Sequence, residues 1–232
     1  MSETTASVAS VADAASHSPA RIYIYKRYER FWHWSQALLI IAMLISGFEV
    51  HGSYTLLGFE PAVRLHTLAA WALLTLWAFT IFWQFTTGEW RQYLPTHKRV
   101  MAMATYYSWG MFRGEPNPFH KTVQKKHNPL QRLAYLGLLA MISPLIWGSG
   151  LLYLFRAFWP SLGIDQWLTL EWVAWAHTAG AFMMLTFFIV HVYLTTTGHT
   201  PTAHIKSMVT GWEELHDDAH SADTPSAPPQ GH

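Results

Sequence analysis

Residues 172–197 read WVAWAHTAGAFMMLTFFIVHVYLTTT, twenty-six positions without a charge. About 20 apolar residues cross the hydrocarbon core of a bilayer, so this stretch predicts a membrane-spanning helix. Two histidines interrupt it, His177 and His191. Fourteen residues apart, they stand roughly 21 Å apart along a helix axis, with an angular offset of only about 40°. Imidazoles are costly in lipid and usually mark a function there. The spacing suits two metal centres, one near each face of a bilayer, both served by one helix.

Three more uncharged runs are long enough to span: Phe31–Phe48, Leu65–Gly88 and Leu133–Phe155. The whole chain of 232 residues is 51% hydrophobic, 16% aromatic and only 12% charged, against about 25% charged in soluble domains. In lipid such runs must be helical, because each segment has to satisfy its own backbone polar groups. Trp32, Trp34, Trp90, Tyr93, Trp159, Trp167 and Trp172 gather at the ends of the runs, as aromatic belts do. The fold class predicted is therefore all-α, an integral membrane four-helix bundle. Its spans lie at about 31–50, 64–87, 131–155 and 172–197, within a domain of residues 21–212. In the long connection between the second and third spans, Arg99–Phe112 is apolar and aromatic after its first residue, which predicts a helix lying at the interface. Residues 1–20 and 213–232, polar and rich in Ser, Ala, Pro, Asp and His, are expected to be disordered cytoplasmic tails. The chain has no cysteine. Disulfides, thiolate-held iron–sulfur clusters, covalently attached haem and zinc fingers are all excluded.

All of the fifteen Lys and Arg residues except Arg64 and Arg156 fall in the N-terminal segment, the long connection or the C-terminal segment. The positive-inside rule then puts both termini and the long connection in the cytoplasm. With that orientation, depth alone pairs the histidines. His33, opening the first span, lies level with His191 near the cytoplasmic face. His66, opening the second, lies level with His177 near the outer face. His51 competes for the outer site, being eighteen residues after His33 on the same helical face. Its position between Glu49 and Gly52 at the water boundary favours a surface or propionate-side role.

Opposed imidazoles inside a helix bundle are the usual way to hold a non-covalent b-type haem, and bis-histidine ligation leaves no open iron position, which suits electron transfer. Ala176, Ala179, Gly180 and Gly47 would let a flat macrocycle approach the backbone; small residues are also ordinary helix-contact residues in membranes. The alternative for each histidine is a hydrogen bond to a neighbouring helix or to water.

These residues carry a family resemblance. Arg30-Phe-Trp-His33-Trp opening the first span, His66-Thr-Leu-Ala in the second, and His177 with His191 in the fourth resemble the di-haem cytochrome b subunits that anchor Ni–Fe hydrogenase, formate dehydrogenase and thiosulfate or tetrathionate reductase systems. The match is nearest to the thiosulfate reductase type and covers roughly residues 21–212. The resemblance implies an inner haem ligated by His33 and His191, and an outer haem ligated by His66 and His177. It also implies a quinone site at an Asn-x-x-Gln segment, here Asn128 and Gln131. The competing reading of those two residues is a capping box with Pro129 in the first turn. His127, Lys125 and Lys126 beside them read as interfacial anchors. Arg30, Arg64 and Arg156 stand at span ends where haem propionates would emerge, and arginine suits carboxylates; plain snorkelling is the alternative.

The function expected is a bacterial inner-membrane subunit. It would pass electrons between the quinone pool and a periplasmic multihaem, iron–sulfur or molybdopterin partner. One rival is a stand-alone superoxide:quinone oxidoreductase of the same type. A rival of another class is a cofactor-free membrane anchor or transporter.

Overall fold

The computed structural model describes residues 21–94, 100–115, 118, 128–197 and 200–214. Four of its helices are long and apolar enough to cross a membrane: α1 (Arg27–Val50), α2 (Phe59–Thr87), α3 (Pro129–Leu154) and α4 (Leu170–Thr195). Phe79, Phe82, Phe85 and Trp175 are exposed on them, as side chains that face lipid must be in an all-α membrane bundle. The predicted fold class is the one observed.

Several features of these helices have a local cause. Glu49, buried near the end of α1, accepts the backbone N–H groups of Leu56, Leu57 and Gly58 on one carboxylate oxygen at 2.6–2.7 Å. This closes the α1–α2 turn and sets a negative charge at the N-terminus of α2, where the helix dipole favours it. Gly88, in the left-handed conformation at φ 74°, ends α2, as glycine at that position commonly does. Within α3 the regular helix gives way to a wider turn at Leu138–Ile142 and resumes at Ser143. Pro144 follows directly, and its missing N–H leaves a carbonyl one turn back without its helical donor, which the widened turn accommodates.

The chain packs as two hairpins. The close backbone contacts run between α1 and α2 and between α3 and α4. Ring pairs bridge the two hairpins: Trp77 against Trp147 edge-on at 4.9 Å, and Phe48 against Phe182 at 5.6 Å. Gly180 of α4 sits against Ile146, where a Cβ would lie 3.0 Å from that residue's Cβ and 3.2 Å from its Cα. It is therefore a helix-crossing residue, and the expected use for macrocycle approach does not apply to it.

The long connection is helical over Val100–Thr105, with wider and tighter turns continuing to Arg113. Met103 is buried while Met101, Trp109 and Phe112 are exposed, in line with the helix expected there. A two-stranded antiparallel ribbon joins Arg21–Tyr23 to Trp212–Glu214. This moves one expected boundary: Glu213 and Glu214 are paired in a strand and do not belong to a tail. Pairing with a partner almost two hundred residues away leaves no trace in local composition, and Arg21 adds an ion pair to Glu214 at 3.0 Å. Gly211 turns into that strand at φ 87°, with Tyr23 and the Tyr25 carbonyl where a Cβ would sit. The expected tails at 1–20 and beyond 214 lie outside the described residues.

Candidate functional site

The four histidines meet in two pairs, both bridging the gap between the hairpins. His33 of α1 faces His191 of α4 with ring centres 6.0 Å apart. His66 of α2 faces His177 of α4 at 6.1 Å. These are the pairings that depth predicts. A metal–imidazole bond of about 2.0–2.1 Å on each side, plus about 1.1 Å from nitrogen to ring centre, puts collinear ring centres about 6.3 Å apart. Both pairs therefore stand at the separation that one metal ion between them requires.

The surroundings of the His66/His177 pair are built twice over. His66 Nδ1 lies 3.1 Å from the Met43 carbonyl oxygen and 3.2 Å from Ser46 Oγ. The Ser46 hydroxyl donates to the Ala42 carbonyl at 2.7 Å, so its oxygen is left to accept from the ring. On the other hairpin, His177 Nδ1 lies 3.1 Å from Ser149 Oγ. The Ser149 hydroxyl donates to the Leu145 carbonyl at 2.6 Å. Each serine hydroxyl gives its hydrogen to a carbonyl, so its oxygen accepts from the ring; Nδ1 therefore carries the hydrogen in both rings and Nε2 keeps its lone pair. Each serine is followed by a glycine that makes room for the ring. A Cβ at Gly47 would stand 3.2 Å from His66 Cε1, and one at Gly150 3.2 Å from His177 Cε1.

The His33/His191 pair is different. His33 Nδ1 is buried and, among the described residues, has no hydrogen-bond partner. His191 stacks on Phe187, with planes 5° apart and centres separated by 6.0 Å.

The remaining candidates take several positions. Arg30, three residues before His33, donates from Nη1 to the Val209 carbonyl at 2.5 Å, while its buried Nε has no partner among the described residues. Arg64 is exposed and pairs with Glu60 at 3.2 Å one turn back, and Arg156 is exposed in the turn after α3. His51 is the exposed C-cap of α1 and stays outside the ring pairs. Asn128 and Gln131 form the capping box: Asn128 Oδ1 accepts from Gln131 N at 2.8 Å, and Gln131 Oε1 accepts from Asn128 N at 3.0 Å. Asn128 also donates from Nδ2 to the Tyr107 hydroxyl at 3.2 Å. The cap thus ties α3 to the helical part of the long connection. Lys125, Lys126 and His127 lie outside the described residues.

On the same side as the chain ends, Lys26 pairs with Glu89 at 2.5 Å, a contact that raises its pKa. Burial pushes the Tyr25 and Tyr93 hydroxyls far above the ordinary tyrosine range, with Glu213 adding to the effect at Tyr25 and Tyr135 at Tyr93. Sequence reasoning missed this polar cluster, and it missed Ser46 and Ser149. The signal for the serines was present: a Ser-Gly dipeptide recurs at 46–47 and 149–150, in the first helix of each hairpin.

A family model described as prokaryotic cytochrome b561 matches residues 24–211. The chain is similar to a protein of Escherichia coli (strain K12) described as "Putative cytochrome YdhU", with 33% identity over 210 residues, covering 87% of this chain and 78% of that protein. No solved structure matches the chain.

Proposed function

The chain belongs to the prokaryotic cytochrome b561 family, and from that footing we propose that it is a two-haem subunit carrying electrons between the quinone pool and a redox partner at the outer face. Membership makes it a multi-pass bacterial membrane protein that binds b-type haem and transfers electrons. The finer reading assigns one haem to His33 and His191 and another to His66 and His177, with both chain ends cytoplasmic.

One observation carries it: two imidazole pairs, at 6.0 and 6.1 Å between centres, bridge the gap between the hairpins. Haem b held there by His33 with His191 and by His66 with His177 would supply one-electron Fe(III)/Fe(II) chemistry. The helices hold the two rings of each pair opposed across the gap. The unpartnered Nε–H of Arg30 supports a propionate contact near the His33 pair. Arg64 and Arg156 are its proposed outer counterparts, reaching from exposed turns. Asn128, Gln131 and the Tyr107 hydroxyl, which donate or accept at the long-connection end of α3, are proposed to line the quinone site. The redox partner is proposed to be a multihaem, iron–sulfur or molybdopterin protein, as the family resemblance implies.

The test is the haem-to-chain ratio of the purified protein with its reduced-minus-oxidised spectrum. Two haems per chain with a six-coordinate low-spin spectrum, reducible by a quinol, is the result expected. A colourless protein from cells supplied with haem precursor would overturn it.

A further inference from the structure

The two Ser-Gly dipeptides do the same thing at the same level of the bundle. In α1, Ser46 bonds the carbonyl four residues back, and His66 bonds both Ser46 and the carbonyl three residues before it. In α3, Ser149 bonds the carbonyl four residues back, and His177 bonds Ser149. The glycine that follows each serine admits the ring. Each hairpin's first helix is thus a seat for an imidazole carried by its second helix. Among the described residues nothing comparable holds the other pair: His33 Nδ1 is buried with no acceptor, and His191 makes ring contacts with His33 and Phe187.

A ligand imidazole whose Nδ1–H donates to a carbonyl or hydroxyl is fixed in tautomer and orientation and is the more basic ligand at Nε2. A more basic ligand stabilises Fe(III) over Fe(II) and lowers the reduction potential. We infer that Ser46-Gly47 and Ser149-Gly150 are positioning elements that make the His66/His177 site the lower-potential haem site of the two. The inference rests on the two-haem reading above and goes beyond it by ordering the two potentials.

The experiment is a spectroelectrochemical titration of the purified full-length protein, its Ser46→Ala and Ser149→Ala variants, and the double variant. His66→Ala serves to assign the midpoints. In the unaltered protein two midpoints are expected, and the one missing from His66→Ala is the lower. Each serine variant raises that lower midpoint, the double variant raises it most, and the upper midpoint stays in place. Should the serine variants fold poorly, the assignment by His66→Ala still decides: survival of the lower midpoint overturns the inference. Two haems whose midpoints both move equally, or neither moves, on serine replacement overturn it as well while leaving the two-haem reading intact. Fewer than two haems in the unaltered chain overturns both.

Discussion

His33 and His191 stand with ring centres 6.0 Å apart although α1 and α4, which carry them, make little direct backbone contact. The same holds for His66 of α2 and His177 of α4 at 6.1 Å. The bundle keeps its hairpins apart at the two levels where the rings face each other, and each pair draws one ring from each hairpin. The two sites are consequently separable by mutation, although α4 contributes to both.

Replacing His177 with alanine removes one ring of one pair and leaves the other pair untouched. The haem content of purified protein, read by the pyridine haemochrome assay, should fall from two per chain to one. Unchanged stoichiometry would sink the assignment of His177 as a ligand.

Gly47 and Gly150 leave no room for a branched side chain, since a Cβ alone would stand 3.2 Å from an imidazole carbon. Gly47→Val or Gly150→Val must displace the ring or the helix, at a cost of about 1–3 kcal/mol by the usual measure of overpacking. The expected outcome is loss of the His66/His177 haem with the other retained, together with a lower Tm. Gly148→Val, where nothing lies within 4 Å of an added Cβ, is the control and should keep both haems.

Asn128 has two separable roles. Its Oδ1 caps α3 and its Nδ2 donates to Tyr107. Asn128→Ala should cost about 1 kcal/mol of stability, as lost caps do. Asn128→Asp keeps the acceptor and loses the donor, so stability should hold while the quinol-dependent rate of haem reduction falls. An unchanged rate in the aspartate variant would leave Asn128 as a cap alone.

Alkaline pH should loosen the end of the bundle where the termini meet. Lys26 is raised above its ordinary value, first by its hydrogen bond to Glu89, and Tyr25 is raised above its own, first by burial. Both folded values lie above the unfolded ones, near about 10. Their stabilising contributions are complete below that pH and are lost as pH rises through the folded values. Thermal melts should therefore show Tm falling above about pH 10, and Tyr25→Phe, which has no hydroxyl to ionise, should flatten that fall.

Much of this was legible along the chain. Transfer of apolar side chains into lipid depends on local composition, so four uncharged runs were enough to place α1 to α4 within a few residues of their observed ends. Rise per residue is constant in a helix, so the positions of His33, His66, His177 and His191 within their runs already paired them by depth. The Asn128-Pro129 cap was equally readable, because capping is settled within four residues. Tertiary structure alone decided which way each helix turns about its own axis. That rotation seats His66 and His177 on Ser46 and Ser149, leaves His33 Nδ1 without an acceptor among the described residues, and aims Gly180 at Ile146. It also brings Trp212–Glu214 back to Arg21–Tyr23. Hydrophobicity and helical pitch act through neighbours in sequence, whereas a hydrogen bond between helices depends on angles and rotamers that only the packed bundle determines.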